Sequence, residues 1–155
     1  MTDRPPPSAD LSADPALWQR MVPAPELMDA LGGMRLLSVD PEAGRVRAAF
    51  QCRPAFCHSG GTTAQGGFVT GWMDFTMAFS VLTRSGGTHN IASLDIHVSF
   101  LERVGPGEVV AEGWVRRMGR KVAFLEATLS QNGKVCATAV SSGLLVPQAP
   151  PATGS

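Results

Sequence analysis

Charge is scarce in this chain and what there is cancels: 13 Lys and Arg stand against 13 Asp and Glu in 155 residues. Without a basic excess there is no electrostatic footprint for nucleic acid or an anionic membrane, so the expected partner is a small molecule or a protein. Cysteine is also scarce. Cys52, Cys57 and Cys136 form an odd, scattered set, which gives no disulfide framework and suits a reducing compartment, the cytoplasm. Adding His58, His89 and His97 produces no zinc spacing, and no metal is expected. No apolar run reaches the roughly 20 unbroken residues of a membrane span. The nearest, residues 66–83, is interrupted by Asp74, glycines and threonines. The start, MTDRPPPSADLSAD, lacks the basic-then-apolar order of a secretory signal. The glycines of HSGGTTAQGG are not followed by the Gly-Lys-Ser/Thr of a phosphate loop, and no Gly-x-Ser-x-Gly elbow occurs.

What is present fits one domain with a real core. Residues 1–24 read as a proline-rich arm containing one short helix, DPALWQRM, with Asp14 as its cap and Pro15 at its first position. Residues 148–155 read as a tail with nothing to bury, which leaves 25–147 as the domain. PELMDAL predicts a second short helix, stopped by Gly32 and Gly33. A hairpin follows, MRLLSVD and RVRAAFQC around a PEAG turn, and then a loop, RPAFCHSGGTTAQ. Residues 66–83 predict the one long helix. The remainder predicts four long strands, with turns at VGPG, Gly119 and QNGK; Asn132-Gly133 suits a type I′ loop, which needs positive φ twice.

The expected class is therefore α+β, an antiparallel sheet of about six strands wrapped around one central, mostly apolar helix. In IASLDIHVSFL strict alternation puts Ala92, Leu94, Ile96, Val98 and Phe100 on the helix-facing side, and Ser93, Asp95, His97 and Ser99 on the other.

Asp74 stands out because it is the only charged side chain between Arg53 and Arg84. Aspartate is a poor helix former, and an ionised carboxylate buried without partners costs several kcal/mol or more. Two readings stay open: a solvent-facing or hydrogen-bonded structural anchor, or a functional acid. Gln65-Gly66-Gly67 sits where the helix begins, and the first N–H groups of a helix lack intrahelical acceptors and carry the positive end of its dipole. A carbonyl oxygen bound there would be polarised as in an oxyanion hole. Asp74 follows Gln65 by nine positions, roughly 13 Å along a helix axis, too far for both to act on one carbonyl. A second chain, related by a two-fold axis, would have to supply the other half.

The stretch Q-G-G-F-V-x-G-W-M-D resembles the signature of hotdog-fold acyl-CoA thioesterases of the phenylacetate-degradation type, akin to 4-hydroxybenzoyl-CoA thioesterase. In these, His-Gly-Gly or Gln-Gly-Gly opens the central helix and an Asp follows nine residues after the His or Gln. The likeness runs from about Gly33 to Val146. It implies a homodimer or homotetramer with each active site at a dimer interface. It further implies that Gln65 helps hold the thioester carbonyl, Gly66 supplies the oxyanion N–H, Asp74 is general base or nucleophile, and Ser93 orients water; alternation puts Ser93 off the helix-packed face, so its role needs either the partner's site or a local bulge. Coenzyme A is then part of the substrate, and no resident cofactor is implied.

The family's usual Asn, six residues before the Gln or His, is replaced here by Ser59, with His58 one step further. The substrate-binding candidates are His58, Ser59, Gly67, Met77 from the apolar stripe of the helix, and Arg117, Gly119 and Arg120 from the basic turn R-R-M-G-R-K. Arginine suits the phosphates of coenzyme A because its planar fork binds oxygen atoms in pairs. Core packing for Met77 and an ordinary solvated turn for the arginines are the competing readings. Two other functions compete as well. A non-catalytic protein binding acyl-CoA or an aromatic ligand is one. An enoyl-CoA hydratase-like enzyme is the other, and the lack of histidine from Phe75 to Leu82 counts against it.

Overall fold

The computed structural model describes residues 25–148. The DPALWQRM helix expected in the arm lies outside them. Helix α1, Pro25–Ala30, ends on Gly32 and Gly33, both at positive φ (85° and 68°), and the Gly33 N–H bonds back to the Met28 carbonyl at 2.8 Å. Strands β1 (Met34–Asp40) and β2 (Arg45–Cys52) form the expected hairpin. The loop after β2 carries more structure than expected. A 3-10 turn at Pro54–Phe56 leads into a two-residue hairpin, β3 (Cys57–His58) with β4 (Thr63–Ala64). Ser59, Gly60 and Gly61 turn this hairpin at positive φ.

Helix α2, Gly66–Arg84, is followed by β5 (His89–Phe100), β6 (Gly107–Met118), β7 (Val122–Gln131) and β8 (Lys134–Pro147). The six long strands make one antiparallel sheet in the order β1-β2-β6-β7-β8-β5. Asn132 (φ 52°) and Gly133 (φ 77°) close the β7–β8 turn, as their sequence predicts.

The sheet curls over α2 and buries Val69, Trp72, Met73, Met77, Val81 and the inward residues of β2, β6, β7 and β8 in one core. Contact is closest at Gly113 of β6, where an added Cβ would lie 2.8 Å from the Met77 nitrogen. The hydroxyls that the helix also buries are mostly satisfied locally: Thr76 donates to the Trp72 carbonyl at 2.7 Å, and Ser80 to that of Met77 at 2.6 Å.

Alternation in β5 breaks where strict period two predicted continuity. Ser93 pairs with Gly143 and Asp95 with Ser142, so Leu94 is an extra, unpaired residue, a β-bulge, and is 59 % exposed. Beyond it Ile96 and Val98 pack on the core as expected. Before it the faces swap: Ile91 packs inward, Ala92 and Leu94 are exposed, and Ser93 turns toward α2.

Candidate active site

The start of α2 is reduced to a single free donor. Gln65 is the N-cap, and its Oε1 accepts from the Gly67 N–H at 2.6 Å. The Phe68 and Val69 N–H groups reach the Gln65 carbonyl at 3.0 and 3.5 Å. Gly66 N–H, at the first helical position, makes no hydrogen bond within the described residues. Because Oε1 is the accepting atom, the amide nitrogen of Gln65 is left with no hydrogen bond among the described residues and both hydrogens available to donate. A Cβ at position 67 would come within 2.6 Å of Oε1, so a larger residue there would displace the Gln65 side chain from this cap.

Gly66 opens on a groove of about 450 Å³, lined among others by His58, Thr63, Val69, Phe100 and Arg103. The Phe100 ring stands over Gly66, 3.1 Å from where a Cβ would be. The helix start is tied to the small hairpin through the Gln65 N–H, which donates to the Phe56 carbonyl at 2.9 Å. The Phe56 and Phe68 rings stack at 4.2 Å across the same junction.

Asp74 lies eight residues further on, about 12 Å along the axis. It is half-buried beneath β5, and its Oδ1 accepts from the Ser93 hydroxyl at 3.2 Å. Burial pushes its pKa above the ordinary carboxylate range, and the Ser93 bond opposes that shift only in part. A carboxylate with one donor and a raised pKa is a better base than a solvated one.

The remaining candidates occupy separate places. His58 reaches the rim of the groove, and its Nδ1 lies 2.8 Å from the Ser59 hydroxyl; Ser59 itself, at φ 54°, turns the hairpin outside the groove. Met77 is 1 % exposed and belongs to the core beneath β6, so within one chain it lines no substrate space. Arg117, Gly119 and Arg120 are exposed at the β6–β7 turn, which the Gly119 N–H closes on the Val122 carbonyl at 2.8 Å. They do not line the Gly66 groove. A bulge between Val115 and Arg117 separates the paired arginine from the unpaired one: Arg116 bonds Glu126 at 2.5 Å, whereas Arg117 and Arg120 make no ion pair among the described residues.

Three features escaped the sequence. Arg103 at the groove rim contacts only the Thr62 carbonyl, at 3.4 Å, and nothing in its neighbourhood in sequence marks it. Phe100 was legible as an inward residue, but not as the roof over Gly66. The cysteines, scattered in sequence, are not all apart in space: Cys52 and Cys57 bring their sulfurs within 3.7 Å as free thiols. Burial and the neighbouring thiol push Cys52 up to about 12, so it stays protonated.

A curled antiparallel sheet around one helix, with a Gln-Gly-Gly start and a single mid-helix acid, defines the hotdog thioesterase class. The profile of the family described as acyl-CoA thioesterase N-terminal domain matches residues 57–142, and the chain belongs to that family. Among solved structures it resembles a phenylacetic acid degradation-related protein of Ralstonia eutropha JMP134 at 26 % identity, covering 83 % of this chain and 98 % of that one, with a TM-score of 0.74. The PaaI protein of the Escherichia coli phenylacetic acid degradation operon (17 % identity, 84 % and 93 % covered, TM-score 0.72) and zebrafish thioesterase superfamily member 2 (20 %, 84 % and 94 %, 0.71) share the fold. No functionally curated protein matches in sequence. Among the described residues no helix is long and apolar enough to cross a membrane.

Proposed function

We propose that the protein hydrolyses an acyl-CoA thioester to the free acid and coenzyme A, in sites shared between two subunits. The single free donor at Gly66, facing a groove, carries this reading. A lone backbone N–H on a residue that lines a cleft, at the positive end of a helix, suits the oxygen of a thioester carbonyl as it becomes an oxyanion. The Gln65 amide would donate to the same oxygen. Asp74 of the facing subunit would take a proton from water as it attacks, or attack the carbonyl itself, with Ser93 orienting the carboxylate and the water. The thiolate of coenzyme A then leaves.

The shared site rests on two observations. Gly66 and Asp74 are about 12 Å apart on one helix, and β5 is a 12-residue edge strand whose outer hydrogen-bonding side has no strand partner among the described residues. Antiparallel pairing of two such edges about a two-fold axis runs the two α2 helices in opposite directions. The start of one helix then lies nearer the middle of the other. Arg117 and Arg120 would meet the nucleotide phosphates of coenzyme A, and the cytoplasm is the compartment in which such a substrate and three free thiols coexist.

Thiol release from short, medium and aryl CoA esters tests the reading, with wild type beside Asp74→Asn. Wild-type turnover that is lost in the variant is expected. A wild type that binds these esters without releasing thiol is a binding protein, and full activity in Asp74→Asn removes the proposed base.

A further inference from the structure

We propose that Asp95, on the outer face of the sheet and in contact with neither the groove nor Asp74, is a positioning residue that holds Ser93 on Asp74. The inference rests on the thioesterase reading for its catalytic consequence, but not for its geometry. In an unbroken strand Ser93 and Ile96 would face opposite sides, because side chains alternate. Both face α2 here only because Leu94 is bulged out between them.

Among the described residues β5 has one strand neighbour, β8, and the bulge is held from there. Asp95 does this at the next residue. Its Oδ1 accepts from the Ser142 N–H at 3.0 Å, its Oδ2 accepts from the Ser142 hydroxyl at 2.6 Å, and its carbonyl accepts from the Ser141 hydroxyl at 2.7 Å. Both lobes of the carboxylate are thus spent on one residue of β8. Opposite Ser93 that strand carries Gly143, where a Cβ would come within 2.4 Å of Ile91, so the strands approach closely beside the bulge only because this position has no side chain. If the clamp is lost, a one-residue slip restores plain alternation and turns Ser93 to the outer face.

Four variants test the clamp: Ser93→Ala, Asp95→Ala, their double, and Asp95→Asn. The Asn variant keeps an acceptor for the Ser142 N–H and can donate to its hydroxyl. Asp95→Ala should lower kcat about tenfold with KM nearly unchanged, the scale of one hydrogen bond to a charged group. Ser93→Ala should match it, the double variant should be no worse than Ser93→Ala, and Asp95→Asn should keep most of the activity. A second readout needs no turnover. Asp74 titration, followed by NMR of its carboxyl carbon, should move to higher pH in Ser93→Ala and Asp95→Ala alike and stay in place in Asp95→Asn. Burial raises that titration and the Ser93 hydroxyl lowers it, so loss of the hydroxyl has a defined sign.

Losses that multiply in the double variant, or an Asp74 titration that Ser93→Ala moves and Asp95→Ala does not, would overturn the clamp. Should Asp95→Ala fail to fold, Ser142→Ala removes only the hydroxyl bond and must shift Asp74 in the same direction by less; no shift there also overturns it. A wild type inactive on every thioester fails the function while the titration still decides the geometry.

Discussion

At the start of α2 the open donor is set close in sequence: Gln65 caps Gly67 two residues on, and the absence of side chains at Gly66 and Gly67 leaves one N–H open, with Phe100 and Arg103 only lining the groove beside it. At the middle of the same helix Asp74 depends on Ser93, 19 residues away, and on a bulge in another strand. The first region is written in local chemistry and survives small shifts of the sheet. The second exists only if β5 is in register. Donors can be set by the backbone alone, whereas a half-buried carboxylate needs a partner delivered by tertiary structure.

The largest effect expected from breaking this pair falls on the acid. Asp74→Asn should lower kcat by about 10² to 10⁴, the range for losing a positioned general base, measured by thiol release. Its stability should move the other way. Because the folded pKa of Asp74 is raised, the native state holds this proton over a pH range where the unfolded chain has released it. Stability therefore falls as pH rises through that range, because ionising Asp74 in the folded state carries the desolvation cost. Asp74→Asn should accordingly melt above wild type at neutral pH, with the difference vanishing in acid where both forms are neutral; a variant that melts lower at pH 7 contradicts the burial described here.

At the donor end, Gly66→Pro removes the free N–H and little else. Proline is favoured at the first helical position, and Gln65 already holds the extended backbone (ψ 135°) that a following proline requires. The exposed Phe100 ring, 3.1 Å from the new Cβ, has room to give way. Activity should drop by about 10² to 10³, as for one oxyanion donor, with the circular dichroism spectrum unchanged.

Gln65 separates the cap from the chemistry. Gln65→Glu keeps an acceptor for Gly67 and adds negative charge at a helix start, so Tm should hold, while kcat/KM falls with the lost amide donor. Gln65→Ala should lose both, at about 1 kcal/mol of stability in chemical denaturation.

The smallest effect is expected from the basic turn. Arg117→Ala with Arg120→Ala should raise KM for CoA esters about threefold, the scale of screened surface charges, and leave KM for truncated thioesters without the nucleotide unchanged.

The sequence carried the fold well. Helix 66–83 is observed as Gly66–Arg84, and the strand limits agree to within a few residues, because apolar content, glycine stops and the Asn132-Gly133 turn are strong local signals. The acid and the glycine pair were legible for the same reason. The bulge was legible only as one of two ways to bring Ser93 into a site, and its position was not: Leu94 is as apolar as the core residues around it, and period-two reasoning assigns it inward while the structure exposes it. Ser93 was consequently placed on the wrong face, and the Asp95 clamp behind it was invisible. The β3–β4 hairpin has only two residue pairs, too few to leave an alternating pattern. Met77 read more readily as core than as pocket, and its 1 % exposure within the core beneath the sheet agrees.

The claim that one helix supplies halves of two sites is tested most directly by mixing chains. Differently tagged Asp74→Asn and Gly66→Pro subunits, each nearly inactive alone, should on co-expression and double-tag purification give hetero-assemblies in which one site of each pair is intact. Thiol release should then recover to about half the wild-type rate per dimer. Activity no higher than that of the two parents, in hetero-assemblies shown to contain both chains, would place the donor and the acid of a working site on the same subunit.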